Sequence, residues 1–259
     1  MALDATKTLA LTGLTLRVQN LERQLAFYRN LLGLEVVQHQ RLQTELALPG
    51  RHFTLTLQHE PSAPLRPQPT LGLYHFALLL PSRAALAAVF RRLVEARYPH
   101  FQGASDHGVS EALYLADPEG NGIELYRDRP RAEWPFRGGH LAMVSERLEL
   151  EALLAEAKAG RGLDPQTTLG HIHLHVGDLD QAQAFFQGLG MELTQGDYPG
   201  ARFLAADGYH HHIGINLWAR GRTAPANSTG LLAFQIALQN RPPRTLTDPN
   251  GAWVQIEVL

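Results

Sequence analysis

The sequence contains no cysteine, and this absence limits the chemistry that the protein can support. Without thiols it has no disulfides, no thiolate-bound zinc, no cysteine-ligated iron–sulfur cluster and no cysteine nucleophile. Any metal site must therefore be built from nitrogen and oxygen ligands.

Long apolar runs and an excess of one charge are also missing. No stretch approaches the roughly 18 apolar residues that a membrane-spanning helix needs. The 23 basic and 25 acidic residues give a formal net charge of −2, with no block of one sign. We therefore expect no nucleic-acid and no membrane partner. The first residues show no basic segment followed by an apolar stretch, so we expect a cytoplasmic protein.

Histidine, by contrast, is plentiful, with 13 among the 259 residues. A chain of this length can bury a hydrophobic core without covalent cross-links. The histidines are therefore candidates for chemistry, and their positions within any repeat should show which of them matter.

One phrase occurs twice along the chain. Residues 14–37 read LTLRVQNLERQLAFYRNLLGLEVV, which predicts a strand, a turn, an amphipathic helix and a second strand. Residues 172–194 read IHLHVGDLDQAQAFFQGLGMELT. Because the match includes the aromatic pair and a following glycine, we interpret the two stretches as copies of one unit.

Two further copies complete the pattern. One starts at Gly72 with GLYHFALLLPSRAALAAVFRRLVEA and closes with LYLADPEGNGIELYRD. The other combines GLLAFQIALQ, residues 230–239, with LTDPNGAWVQIEVL. Little more than RPPRT separates these two phrases, which leaves no room for a helix. The fourth copy is therefore predicted to lack its middle.

Four units in the order βαβββ, the last one truncated, predict an α+β protein with curled mixed sheets covered by helices. The segment ERLELEALLAEAKAGRGLDPQTT turns from helical to glycine- and proline-rich and is the natural linker. We expect a first domain of two units over residues 1–144, a linker over 145–168, and a second domain of one full and one truncated unit over 169–259.

Potential metal ligands occupy matching places in the two central units. His75 lies on the first predicted strand of the second unit and Glu124 on its last strand, while His171 takes the place of His75 in the third unit. The equivalent residues in the first and fourth units are Gly13 and Ala233, which cannot bind a metal. The metal-competent set is thus two histidines and one glutamate.

This ligand set binds one face of a divalent ion and leaves positions open, as in non-haem Fe(II) enzymes. It is equally compatible with zinc, and Mn(II) is a further alternative. Glu124 lies between Ile123 and Leu125, so alternation turns it to the opposite face of its strand. That face could also simply contact solvent.

The chain resembles the vicinal oxygen chelate superfamily, which includes glyoxalase I, bleomycin-resistance proteins and extradiol ring-cleaving dioxygenases. The repeated units, the opening phrase and DPEGNGIELYRDRP carry this resemblance. The segments GLYHFALLLPSR, GHIHLHV and GYHHHIGINLWA are similar to those of the short, two-domain bacterial catechol 2,3-dioxygenases.

The resemblance implies roles for particular residues. It implies His75, Glu124 and His171 as the metal ligands, with Fe(II) as the expected ion. His212 is the best match for the acid/base histidine, and Tyr114 for the tyrosine that donates a hydrogen bond to a substrate oxygen.

Three further histidines are candidates for contact with the substrate. His211 is adjacent to His212 and would point to the opposite face of a strand, so a slip of one residue would exchange their roles. His173 shares a face with His171, although it could also be a hydrogen-bonded core residue. His107 could contact substrate or could cap its loop.

The longer extradiol enzymes take their ligands from the last two units, whereas the last unit here has none. We therefore expect units two and three to pair around the metal, and units one and four to pair as a structural partner. His75 and His171 should then lie close together.

The resemblance implies an extradiol dioxygenase of aromatic catabolism, which uses O2 to open a catechol to a 2-hydroxymuconic-semialdehyde-type product. One alternative is a glyoxalase-like metal-dependent lyase or isomerase, although Asn216 stands where its second carboxylate would be. The other is a non-catalytic, bleomycin-resistance-like binding protein. The expected partners are a catechol and O2, and a second subunit could cover the edge left by the truncated unit.

Overall fold

The elements of the computed structural model, which describes residues 7–48, 50–160 and 162–259, follow the predicted order. The first unit comprises β1 Leu9–Val18, α1 Leu21–Leu25 continued by π-helical turns over Ala26–Leu31, β2 Glu35–Gln40, β3 Gln43–Ala47 and β4 Thr54–His59. The second comprises β5 Gly72–Leu79, α2 Arg83–Glu95, β6 Phe101–Asp106, β7 Ser110–Ala116 and β8 Gly122–Asp128.

The second half of the chain repeats this order once in full and once in part. A connecting segment holds a 3₁₀ turn, a short hairpin and a helix: Arg131–Glu133, β9 Phe136–Arg137, β10 His140–Leu141 and α3 Leu150–Ala155. The third unit comprises β11 Thr168–His175, α4 Leu179–Gly188, β12 Glu192–Gln195, β13 Ala201–Ala205 and β14 Ile213–Asn216. The fourth comprises only β15 Gly230–Leu238, β16 Arg244–Thr247 and β17 Trp253–Val258, so its predicted loss of a helix is confirmed.

Side-chain caps fix where the three repeated helices begin. Asn20 accepts a hydrogen bond from the backbone N–H of residue 23, and Ser82 accepts one from residue 85. Asp178 accepts from residues 180 and 181. Each cap satisfies N–H groups that have no partner within the helix. None of the helices in the described part of the chain is long and apolar enough to span a bilayer.

The aromatic pair of the repeated phrase anchors its helix to the core. Phe27 and Tyr28 are almost fully buried in the first unit, as is Phe186 in the third. Their rings join the main apolar cluster beneath the sheets. The pair therefore recurs because each helix must bury one face against its own strands.

Strand pairing joins the units in the predicted combination. Strand β5 of the second unit pairs antiparallel with β11 of the third, and β1 of the first pairs antiparallel with β15 of the fourth. The two pairs meet where β1 and β11 are bridged by Leu11 and Leu169. The predicted pairing of units is thus confirmed. Each pair of units takes one unit from each half of the chain. The predicted division of the chain into two domains, with a linker at 145–168, stays a prediction.

Candidate metal centre

Three neighbouring strands bring the predicted ligands together. Strand β5 runs between β8, to which it is parallel, and β11, to which it is antiparallel. The register places Glu124 on one side of Ala77 and His171 on the other. His75 precedes Ala77 by two residues and so shares its face. The two histidines and the glutamate thus surround Ala77, whose small side chain leaves space between the three ligand side chains.

The ligand atoms converge within this space. Oε2 of Glu124 lies 3.0 Å from Nε2 of His75 and 3.1 Å from Nε2 of His171. One nitrogen or oxygen from each of the three side chains lies within 4.8 Å of the other two. All three residues are buried, so the glutamate does not face solvent. The cluster has the composition and compactness of a site for one divalent ion.

Two polar atoms of the cluster, Nε2 of His75 and Nδ1 of His171, are left without a hydrogen bond among the described residues. Nε2 of His75 is buried and has no hydrogen-bonding partner among the described residues, although the carboxylate oxygen is near. A buried polar atom without a partner is costly, and an ion shared by the three side chains would satisfy it. The residues present therefore fit a bound metal.

The protonation states of the cluster suit metal binding. Burial would raise the pKa of Glu124, but the neighbouring His171 and His75 outweigh it and hold the pKa well below its usual range. Burial lowers the pKa of His171 to about 4. At neutral pH the site thus offers a carboxylate and a neutral imidazole, the forms in which these groups bind metals.

A cavity of about 390 Å³ opens beside the cluster, and His75 and Glu124 form part of its wall. This volume falls within the range typical of small-molecule sites. Much of the remaining wall is aromatic or sulfur-containing, contributed by Tyr74, Tyr114, Met143, Tyr198, Phe203 and Trp218. Among the described residues, the lining includes no lysine or arginine.

The two adjacent candidates for the acid/base role lie in different places. His211 lines the cavity, and its ring centroid is 4.1 Å from that of His171. His212 points away, where its Nδ1 accepts a hydrogen bond from the Ala206 N–H at 3.2 Å and its ring packs on Tyr209. The placement expected for His212 at the site is therefore wrong. The chain bends at residues 210 and 212 before it enters β14, and the two adjacent rings lie in different surroundings.

Tyr114 and His107 form a hydrogen-bonded pair on the cavity wall. Nδ1 of His107 lies 2.6 Å from the carbonyl oxygen of Val144, which can only accept, so this nitrogen carries a proton. Nε2, 2.5 Å from the Tyr114 hydroxyl, is then the acceptor. Burial and, next, the charge of Glu124 raise the pKa of Tyr114 well above its usual value. Tyr114 is thus a protonated phenol that donates to His107 in this arrangement.

His173 also reaches the cavity, and an amide holds it in place. Its Nε2 lies 2.9 Å from Nδ2 of Asn216, whose Oδ1 in turn lies 2.6 Å from Nδ1 of His175. Burial lowers the pKa of His173 well below its usual value, so the ring is neutral and accepts from the amide. Gly214 leaves the space for this ring, because a Cβ there would lie 2.8 Å from it.

Two residues near the site were not singled out from the sequence. His210 is fully buried between His211 and Asp128, and contacts both through its ring nitrogens. The run YHHHIG drew attention to this part of the chain, but nothing in the neighbouring sequence shows which carboxylate contacts His210. Asp128 comes from the end of β8, 82 positions earlier in the chain.

Comparison with known proteins identifies the family. Residues 10–125 match the model of the Glyoxalase/Bleomycin resistance protein/Dioxygenase superfamily. The chain is 45% identical over 236 residues to a "Catechol-2,3-dioxygenase" of Bacillus subtilis (strain 168), which covers 87% of this chain and 81% of the relative. The chain belongs to this superfamily. The resemblance predicted from the repeated units and the histidine motifs is confirmed.

A further relative and two solved structures are also similar to this chain. A "Biphenyl-2,3-diol 1,2-dioxygenase 3" of Rhodococcus globerulus is 30% identical over 129 residues, covering 48% of this chain and 65% of the relative. Glyoxalase I from Zea mays has a TM-score of 0.57 at 14% identity, covering 96% of this chain and 92% of that one. A Bacillus subtilis structure reaches a TM-score of 0.67 at 14% identity, with coverages of 97% and 86%. The predicted fold of repeated βαβββ units is confirmed.

Proposed function

We propose that this superfamily member is an extradiol ring-cleaving dioxygenase that opens a catechol with O2. The observation that carries the proposal is the convergence of His75, Glu124 and His171 at the wall of a cavity of small-molecule size. The 45% identical catechol-2,3-dioxygenase supports it. In the reaction, the ring C–C bond next to the diol breaks and both atoms of O2 enter a 2-hydroxymuconic-semialdehyde-type product.

The metal we propose is Fe(II), held by His75, Glu124 and His171. When bound, it supplies open coordination positions for the catechol oxygens and O2, together with the redox chemistry that joins them. Zn(II) binds the same ligand types but lacks this redox chemistry. Mn(II) remains the redox-capable alternative.

The chain itself handles the protons of the substrate. His211 lines the cavity next to the ligand His171 and is placed to accept a proton from a catechol hydroxyl and to return it later. Burial, followed by the neighbouring His171, lowers the pKa of His211 well below its usual value. The resting ring is therefore a neutral base.

The other polar side chains of the wall position the substrate. The Tyr114 hydroxyl and the His107 ring can exchange their mutual hydrogen bond for one to a substrate oxygen. His173, fixed by Asn216, adds a further polar side chain to the wall. The aromatic side chains supply flat apolar surface for the substrate ring.

The cavity lining also indicates a class of substrate. Its walls combine aromatic side chains with the neutral polar residues Gln102, Ser105, Ser110 and Ser145, and the described lining residues offer no lysine or arginine to pair with a substrate carboxylate. Burying an unpaired carboxylate is unfavourable. We therefore propose catechols with uncharged substituents. We also propose that the enzyme acts in the cytoplasm. We further propose that a second copy of the chain covers β16, which lies at one edge of the large sheet.

The test combines metal content with oxygen uptake. Protein purified without air and loaded with Fe(II) and ascorbate should consume O2 on addition of catechols and release the ring-opened product. His171→Ala should abolish both metal retention and oxygen uptake, whereas His140→Ala, at an exposed position of the short strand β10, should leave both intact. Lack of oxygen uptake by Fe(II)-loaded protein with several different catechols would reject the proposal. Conversion of a hemithioacetal instead would favour the glyoxalase-like alternative.

A further inference from the structure

A chain of hydrogen bonds leads from the cavity to a partly exposed carboxylate. Nδ1 of His211 lies 2.7 Å from Nδ1 of His210, and Nε2 of His210 lies 2.9 Å from Oδ1 of Asp128. We propose that Asp128 and His210 are positioning residues that set the tautomer of His211 and keep its Nε2 as a proton acceptor. This inference rests on the proposed function, in which His211 is the base.

Counting protons along the chain gives a single arrangement for two neutral rings. A carboxylate only accepts, so Nε2 of His210 must carry a proton and donate it to Asp128. Nδ1 of a neutral His210 then has a lone pair, and the contact at 2.7 Å requires His211 to donate from its own Nδ1. Nε2 of His211 is thus left unprotonated. The partner of one histidine nitrogen determines the state of the other.

Both rings are buried, and the charged group in contact with His210 is the Asp128 carboxylate. His210 is completely buried, and His211 is 7% exposed. The ring centroid of His210 lies 4.0 Å from that of Tyr209 and 5.3 Å from that of Trp134, both uncharged. The geometry thus supplies one acceptor for each ring, Asp128 for His210 and His210 for His211.

The carboxylate is itself held in place. The Tyr209 hydroxyl lies 3.0 Å from Oδ2 of Asp128 and 2.8 Å from the hydroxyl of Tyr126. The Asp128 side chain is 25% exposed, so it keeps contact with solvent while its Oδ1 faces His210. The arrangement resembles the function of the aspartate in a hydrolase triad, which holds a histidine in the tautomer that can accept a proton.

The tautomer can be measured without metal or turnover. Protein labelled with ¹⁵N-histidine and free of metal should show His211 protonated at Nδ1 and unprotonated at Nε2 in long-range ¹H–¹⁵N spectra, with the signal assigned from His211→Gln. His210→Leu and His210→Asn form a matched pair of similar size. Only asparagine keeps an oxygen that can accept the Nδ1 proton of His211. We expect the leucine variant to lose the preference and the asparagine variant to retain it.

The kinetics of the Fe(II)-loaded enzyme provide a second readout. His210→Leu should lower kcat about 10- to 100-fold, the loss typical for an outer residue that orients a functional one, with little change in KM. His210→Asn should restore most of kcat. His140→Ala, at an exposed position of the short strand β10, should keep the tautomer and kcat.

Two results would overturn the inference. One is a wild-type His211 protonated at Nε2, and the other is a tautomer unchanged in His210→Leu protein whose circular dichroism is native. If instead no catechol supports oxygen uptake while the spectra are as expected, the proposed function fails and the positioning of His211 stands.

Discussion

Two consecutive histidines, His211 and His212, show how much one position in the chain can matter. The ring of the first contacts His171 at the cavity, and the ring of the second packs behind it against Tyr209. The sequence motif YHHHIG contains both, and their local surroundings in sequence are nearly identical. Only the direction of each side chain separates a candidate base from a structural residue.

Substitution at these two positions should therefore have different effects. We expect His211→Asn to lower kcat of the Fe(II)-loaded enzyme by about 10²- to 10⁴-fold, the usual contribution of an acid/base group. His212→Asn should leave kcat within a few-fold, because Oδ1 of asparagine can still accept the hydrogen bond from the Ala206 N–H. Steady-state kinetics on both variants decide this, and equal losses would contradict the assignment.

Gly170, which precedes the ligand His171, leads to a second prediction at the residue scale. A Cβ on Gly170 would lie 1.8 Å from the hydroxyl of Tyr126, which is buried beside His171. Gly170→Ala should therefore reduce the free energy of unfolding by about 1–3 kcal/mol through overpacking. Gly188→Ala is the matched control, because nothing lies within 4 Å of its Cβ. Urea denaturation measures both, and a stability equal to wild type for the Gly170 variant would refute the prediction.

At the scale of elements, strand β5 decides the site. It carries His75 and places its neighbours β8 and β11 so that Glu124 and His171 flank Ala77. The sequence predicted the β5 and β11 strands and the equivalent histidines on them. It could not supply the register between strands almost a hundred residues apart, because pairing depends on long-range packing.

Two buried histidines, one on β11 and one just before β14, should also make the stability of the protein depend on pH. Burial lowers the pKa of His171 to about 4 and that of His212 to about 3, from 6.5 in both cases. As the pH falls below about 6.5, these two histidines bind protons in the unfolded chain but stay unprotonated in the folded protein. The free energy of unfolding of the metal-free protein should therefore fall, by up to about 1.4 kcal/mol per pH unit for each such histidine.

Urea unfolding of metal-free protein between pH 7 and pH 4 measures this slope. His212→Asn removes one titrating ring while keeping its acceptor, so the slope should decrease by up to about 1.4 kcal/mol per pH unit. A slope unaffected by the substitution would show that His212 is protonated in the folded state.

For the whole molecule, the pairing of units places the metal between two halves of the chain. His171 comes from the third unit and the other two ligands from the second, so an ion would bridge them. Ligands that bind only the folded state stabilise it by mass action. Binding should therefore raise the resistance of the whole fold to heat.

Thermal unfolding with added Mn(II), which avoids oxidation of iron, checks this coupling. At a concentration 100 times Kd, the stabilisation should be about 2.7 kcal/mol. For a chain of this size that corresponds to a rise in Tm of roughly 5–10 °C. Glu124→Gln should lose the rise, and His140→Ala should keep it. A rise that survives in Glu124→Gln would place the bound ion elsewhere.

The sequence by itself determined the repeat, the order of strands and helices within each unit, and the three ligand candidates. These follow from local periodicity, capping residues and equivalence between copies, all of which are readable along the chain. Tertiary structure alone decided that His211 and not His212 faces the cavity, that Tyr114 donates to His107, and that Asp128 meets His210. These relations depend on side-chain direction and on contacts between residues far apart in sequence, and local patterns do not encode either.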